Sequence, residues 1–155
     1  MMSAILEPCP HCGNLTDTGV GQYLRADGVL VWSLSIHCAS CGLVQESDDL
    51  GFPPKRYREY IIRQEGLWML VVVPTEKSGR ARAGLIMKQM LSLDTRDVAR
   101  LLKAMPGVIW QGTKSEVDWL CRRVSQAGVD CESRLWNLTE GGPPEIGLGT
   151  SRFGE

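Results

Sequence analysis

Four cysteines in two matched pairs are the residues of this sequence whose types and spacing can do chemistry. The pairs lie in "CPHCG" (9–13) and "CASCG" (38–42), each with two residues between the cysteines and a glycine after them. A two-residue spacer on a tight turn lets both sulfur atoms face one point, and the glycine relieves crowding of the backbone. The sequence therefore predicts one tetrahedral zinc site with Cys9, Cys12, Cys38 and Cys41 as its ligands.

The zinc ion is expected to be structural. A catalytic zinc ion keeps one coordination position open, whereas four thiolates close the shell, and metal binding in so small a module supplies folding free energy. Thioredoxin-like redox chemistry is the alternative, but a redox C-x-x-C pair lies between a strand and the start of a helix, and the surroundings here are hairpin-like. His11 and His37 flank the cysteines and are expected to lie beside the site rather than in it.

The segment between the cysteine pairs predicts a β-hairpin, the element that brings the pairs together. Residues 21–25 form one arm, Asp27-Gly28 a type I′ turn, and residues 29–37 the other arm. Together with the cysteines this defines a zinc ribbon over residues 1–52.

A break in composition separates the ribbon from the rest of the chain. Turn-forming residues and a Pro-Pro pair over 47–56 predict a linker, and residues 53–66 are either a linker or a lead-in segment, helical or extended.

The second half predicts an α+β domain over residues 67–136, with the order β-α-α-β-α-β and a three-stranded sheet. Three apolar segments predict strands, at 67–73, 108–111 and 129–135. One helix is predicted over about 84–91, a second after Asp94 as N-cap, and a third from a Thr113–Glu116 capping box to Gly128. Residues 75–84 predict a polar, basic loop, and residues 137–155 a loose tail.

Residues 67–135 resemble the C-terminal domain of the bacterial ribosomal stalk protein, which shares its fold with the adaptor of the Clp protease. The matching motifs are Ala104-Met105-Pro106, Gln111-Gly112-Thr113, Lys114-Ser115-Glu116 and Ala127-Gly128-Val129. The resemblance implies a platform of three helices and three strands used for protein contacts, without an active site. Lys88 and Arg96 match lysines of that family's factor-binding surface, but "SLDT" (92–95) replaces its glycine-containing turn.

Seven residues are candidates for contact with a partner, because tryptophan and arginine are enriched at binding hot spots and cations in a loop can meet phosphate or an acidic protein. They are Lys77, Arg80, Arg82, Lys88, Arg96, Trp110 and Trp136. The ordinary alternatives are a solvated loop for the cations and a core position for each tryptophan. Cys121 and Cys131 fall on apolar faces and are expected to be small core residues.

Composition restricts the function further. The 155 residues carry a net charge of −1 and a pI of about 6.1, which gives no general attraction to nucleic acid. These values are compatible with a local basic patch. The sequence has no phosphate-binding glycine loop, nucleophile elbow or HExxH motif, so no enzyme is expected. It also has no signal-like N-terminus, and its longest apolar run, 67–73, is too short to span a bilayer, which predicts a soluble, cytoplasmic bacterial protein.

The predicted function is that of a non-enzymatic, zinc-containing module that binds another protein. It would act as an adaptor or inhibitor, with an immunity protein that neutralises a toxin by occlusion as one form. The alternative is a nucleic-acid- or ribosome-associated zinc-ribbon factor in transcription or translation. A redox or metal-transfer protein is a third candidate, and neither a membrane nor a small-molecule substrate is expected.

Overall fold

The computed structural model describes residues 3–73 and 76–137, which fall into two units, residues 3–65 and 66–137. Over these residues the chain is a mixed α/β protein with one four-stranded sheet, one three-stranded sheet and four helices. Both sheets are antiparallel throughout. The predicted tail lies outside the described residues except for Asn137. No helix in the described part of the chain is both long and apolar enough to cross a membrane.

Unit 1 is built on a four-stranded sheet in which each strand pairs with the next along the chain. The strands are β1 (Ser3–Pro8), β2 (Leu15–Leu24), β3 (Leu30–His37) and β4 (Val44–Leu50). The linker predicted over 47–56 is wrong at its start, because residues 47–50 belong to β4. Every residue of β4 is exposed, and an edge strand that carries charges lacks the apolar alternation by which strands are predicted.

The predicted hairpin is present as β2 and β3, but its turn is not of type I′. That type needs a positive φ at both central residues, and Ser92 is the only non-glycine with a positive φ among the described residues. Gly28 instead has φ +87° and donates its N–H to the carbonyl of Arg25 at 2.9 Å. The loop is therefore a three-residue turn closed by a glycine bulge, with Asp27 accepting a hydrogen bond from the N–H of Val29 at 3.3 Å.

Helix α1 (Lys55–Glu65) covers one face of this sheet. Tyr57 and Ile61, four residues apart and thus on one side of the helix, are buried together with Val20 of β2. Trp32 lies in the same cluster, with its ring 6.1 Å from that of Tyr57. Of the forms left open for residues 53–66, the helical one is observed, and this helix is part of the core of unit 1.

Unit 2 contains the three-stranded sheet, with strand order β6-β5-β7. Its elements, in chain order, are β5 (Trp68–Val72), α2 (Lys77–Leu91), α3 (Thr95–Ala104), β6 (Gly107–Gly112), α4 (Lys114–Gln126) and β7 (Cys131–Leu135). Its interior is formed by fully buried side chains from every element except β7: Leu70, Val72, Met87, Leu101, Ile109, Trp110, Val117, Leu120 and Val124.

The helix ends in unit 2 follow the sequence signals in three places and depart from them in one. Asp94 accepts a hydrogen bond from the N–H of Asp97 at 2.9 Å, and Thr113 accepts one from that of Glu116 at 3.1 Å. Gly128, just past α4, has φ +82°. The loop predicted over 75–84 is wrong from Lys77 onward, because α2 begins there and buries Gly79, Ala83 and Gly84 on its inner side.

Candidate metal site

The four predicted ligands, Cys9, Cys12, Cys38 and Cys41, meet at one end of the sheet of unit 1. All four Sγ atoms lie within 4.8 Å of one another, the only such cluster of three or more potential metal ligands in the described part of the chain. The Cys9–Cys41 sulfur separation is 3.7 Å and the Cys12–Cys38 separation is 3.6 Å. This arrangement can hold a metal ion.

The strands explain why the sulfur atoms converge. Residues 9–14 connect β1 to β2, and residues 38–43 connect β3 to β4. Because β2 pairs directly with β3, these two connections lie side by side at the same end of the sheet, while the loop of the predicted hairpin lies at the other end. Next to the connections, the hydroxyl group of Thr16 in β2 donates to the carbonyl of His37 in β3 at 3.1 Å.

The two cysteine turns have the same backbone hydrogen bonds. The N–H of Cys9 donates to the carbonyl of Asn14 and that of Cys38 to the carbonyl of Leu43, both at 2.8 Å. Gly13 and Gly42 each donate back to the first cysteine of their turn at 2.9 Å. These glycines have φ +78° and +77° with open space where a Cβ would lie, so the backbone conformation, not crowding, calls for glycine.

The same turns direct backbone N–H groups at the first sulfur of each pair. The N–H of Cys12, with that of His11 at 3.4 Å, lowers the pKa of Cys9. The N–H of Cys41, with that of Ser40, lowers the pKa of Cys38 to about 6. Hydrogen bonds to a sulfur atom favour the thiolate over the thiol. Since the thiolate is the form that binds a metal, the turns prepare both buried cysteines as ligands.

The second cysteine of each pair is exposed, and its proton is held more tightly. The N–H of Leu43 favours the thiolate of Cys41, but desolvation and the neighbouring cysteines outweigh it and raise the pKa to about 12. Such opposed shifts are expected where several thiols share protons at short range. A bound cation removes the competition, because it stabilises all four thiolates at once.

The two histidines stay outside the cluster, as expected. Both are exposed, and His37 directs its Nε2 atom to Ser35 Oγ at 3.1 Å and to Glu46 at 4.0 Å.

Three of the predicted partner-binding cations lie on one side of α2. Lys77, Arg80 and Lys88 are within roughly 80° of one another around the helix, whereas Arg82 is roughly 160° from Arg80. Arg82 lines a cavity of about 270 Å³ that it shares with Glu76 and Asp130, so two carboxylates accompany its charge. Lys88 is exposed on the same helix.

The remaining candidates lie elsewhere in unit 2. Arg96 is exposed in the first turn of α3, and Trp136 is half-buried. The expectation that Trp110 could be exposed is wrong. Its side chain is 1 % exposed and is part of the core of unit 2, so it offers no surface to a partner. Its strand, β6, has three of its six residues buried although it lies at the edge of the sheet.

A second pair of sulfur atoms was not recognised as a site from the sequence. Cys121 on α4 and Cys131 on β7 are half-buried rather than core residues, and their Sγ atoms are 2.9 Å apart. Their ten-residue separation across the Gly128 turn is the one signal that could have suggested the contact.

Comparisons of the chain with models of protein families, with curated proteins and with solved structures gave no match. The resemblance of residues 67–135 to the ribosomal stalk domain therefore stays a prediction from the sequence motifs.

Proposed function

We propose that this protein is a non-enzymatic, zinc-containing module that binds another protein as an adaptor or inhibitor. An immunity protein that blocks a toxin by occlusion is one form of this function. The observation that carries the zinc assignment is the convergence of four cysteine sulfur atoms within 4.8 Å of one another.

The spacing of the sulfur atoms supports zinc. Zn–S bonds of about 2.3 Å at tetrahedral angles place sulfur atoms about 3.8 Å apart. The separations of 3.7 and 3.6 Å between Cys9 and Cys41 and between Cys12 and Cys38 are close to that value. Four thiolates leave no position for a substrate, which favours a structural role for the ion.

The face of the sheet in unit 1 that α1 does not cover supports a protein partner. Helix α1 covers the face that carries Val20 and Trp32. Alternation along the strands and the strand register place the exposed large apolar residues of unit 1 on the opposite face, here called the open face. These residues, between 44 % and 67 % exposed, are Leu6, Leu15, Tyr23, Val44 and Leu50. Apolar side chains gathered on one surface are typical of an interaction site.

The charges on the open face argue against nucleic acid. Asp17, Glu46 and Asp48 share this face, and the four strands contain no lysine or arginine. An acidic surface repels phosphate and complements a basic partner. The cations of α2 belong to unit 2 and not to this face.

Cobalt substitution tests the metal assignment. Co²⁺ added to metal-free protein is expected to give the visible spectrum of a tetrahedral thiolate site, which zinc then abolishes by displacement. The Cys9→Ser variant should lose that spectrum, while Cys131→Ser should retain it. An octahedral spectrum, or one that depends on Cys131, would contradict the assignment.

Partner capture from the source cells tests the binding role. The full chain is expected to capture a protein, and Leu6→Lys or Leu50→Lys should abolish capture because each places a cation on the open face. Leu85→Lys in α2 is the matched control, since Leu85 is 54 % exposed and lies in unit 2. Capture that disappears after nuclease treatment, or that the open-face variants leave unchanged, would overturn the proposal.

A further inference from the structure

The two cysteines outside the four-cysteine cluster, Cys121 and Cys131, lie against each other. Their Sγ atoms are 2.9 Å apart, less than the separations of 3.7 Å between Cys9 and Cys41 and 3.6 Å between Cys12 and Cys38 in the four-cysteine cluster. A disulfide bond needs about 2.05 Å. The remaining difference is less than the width of one atom, so a small rotation of either side chain can close it.

The elements that carry the two residues hold them at this distance. Cys121 lies in the middle of α4 and Cys131 is the first residue of β7, and α4 packs beside β7. The turn between them is fixed by Gly128 and by the N–H of Val129, which donates to the carbonyl of Val124 at 3.3 Å. The thiol of Cys131 also lies 3.3 Å from the carbonyl oxygen of Cys121.

A third side chain makes the two sulfur atoms unequal. Ser125, one helical turn after Cys121, has its Oγ atom 3.2 Å from Cys131 Sγ and 4.0 Å from Cys121 Sγ. Hydrogen bonds from Cys121 and then from Ser125 lower the pKa of Cys131 to about 7, against desolvation and the nearby charge of Asp130. The thiol of Cys121 donates a hydrogen bond to the Cys131 sulfur, which raises the pKa of Cys121. Desolvation and the charge of Asp118 raise it further.

We propose that Cys121 and Cys131 form a reversible dithiol–disulfide site that exchanges with the disulfide of a small thiol of the glutathione class. The Cys131 thiolate attacks one sulfur of the small disulfide, whose S–S bond breaks, giving a mixed disulfide and one small thiolate. Cys121 then loses its proton to solvent and attacks Cys131 Sγ, which releases the second small thiolate. Two protein thiols are oxidised and one small disulfide is reduced to two thiols, so atoms and electrons balance.

This site is independent of the four-cysteine cluster, which lies in unit 1. Both Cys121 and Cys131 are half-buried, so a small reagent has access without unfolding of the chain. A fully buried pair would be inert to such exchange.

Peptide mapping tests the proposal on the unmodified full chain. Trypsin places Cys121 in the peptide 115–122 and Cys131 in the peptide 124–134, and no other cysteine lies in either. After equilibration with mixtures of oxidised and reduced glutathione and blocking of free thiols, these two peptides are expected as one disulfide-linked species. The amount of this linked species should increase with the ratio of oxidised to reduced glutathione and decrease again when the ratio is lowered. Absence of the linked species at every ratio, or its appearance only after denaturation, would overturn the proposal.

Single variants test the order of the two steps. Cys121→Ser should accumulate glutathione on Cys131, whereas in Cys131→Ser glutathione should add to Cys121 at least about tenfold more slowly, because the thiolate is the attacking form. Circular dichroism verifies that both variants are folded, and the linked-peptide test on the unmodified chain stands without them. Equal rates in the two folded variants would refute the assignment of Cys131 as the attacking thiol.

Discussion

The hydroxyl group of Tyr57 donates a hydrogen bond of 2.7 Å to Glu7 Oε2, which joins α1 to β1 across fifty residues of sequence. Arg56 completes the contact, with its Nη2 atom 2.7 Å from the Tyr57 hydroxyl and its Nε atom 3.3 Å from Glu7 Oε1. Glu7 comes two residues before Cys9. The helix therefore holds the strand that leads directly into the four-cysteine cluster.

Tyr57→Phe should lower the free energy of unfolding of unit 1 by about 1 kcal/mol, because the ring stays buried while the hydrogen bond to a carboxylate is lost. Native-state hydrogen exchange at the amides of β1 and β2 measures this. Tyr23→Phe is the matched control, since Tyr23 is 44 % exposed on the open face. Equal effects of the two substitutions would contradict the role assigned to the Tyr57–Glu7 contact.

Gly42→Ala should weaken zinc binding about tenfold, because an alanine in a left-handed conformation costs about 1–2 kcal/mol. Gly42→Asn should cost less, since asparagine tolerates this conformation better. Competition with a chromophoric chelator measures both affinities. The space around this position is open. If side-chain size were the cause, alanine would leave zinc affinity unchanged and the larger asparagine would lower it more. A lower zinc affinity for Gly42→Asn than for Gly42→Ala would contradict the role assigned to the backbone conformation.

Asp94→Ala should destabilise unit 2 by about 1 kcal/mol through loss of the α3 N-cap. Asp94→Ser should retain most of the stability, because a serine oxygen can accept the same bond from the N–H of Asp97. Urea unfolding followed by tryptophan fluorescence, to which unit 2 contributes four of the five tryptophans, gives the difference. A serine variant as unstable as the alanine variant would show that the cap is not the cause.

The alkylation rate of Cys131 should rise about tenfold between pH 6 and pH 8 and level off there, since only the thiolate reacts and its pKa is about 7. The direction follows from the lowered pKa: the reactive form is already half-populated near neutral pH. Ser125→Ala should move the profile to higher pH, because it removes a hydrogen bond to the thiolate. A rate that still increases steeply above pH 8 would contradict the lowered pKa.

The sequence predicts well where a local signal is sufficient. The paired C-x-x-C-G motifs identify the cluster because the turn conformation is encoded within five residues, and Asp94, Thr113 and Gly128 mark helix ends by bonds to adjacent backbone. The core strand β5 is recognisable as a run of apolar residues.

Features that depend on tertiary neighbours were missed. β4 is charged and exposed, so only its pairing with β3 reveals it as a strand. The glycines and cations at 79–84 suggested a loop, but the glycines are on the buried side of α2, where small residues allow close packing. Gly84, for example, would place a Cβ 3.3 Å from Leu102 of α3. The burial of Trp110 and the Cys121–Cys131 contact likewise depend on how the elements of unit 2 pack together.

Zinc content per chain is the most direct test of the central claim that the four cysteines of unit 1 are a structural metal site. Protein purified without chelators should contain one zinc ion per chain, released as Cys9, Cys12, Cys38 and Cys41 are modified by a thiol reagent. The Cys9→Ser/Cys38→Ser double variant should contain none, and Cys121→Ser should keep its zinc. Purified protein without zinc, or a double variant that retains it, would contradict the account.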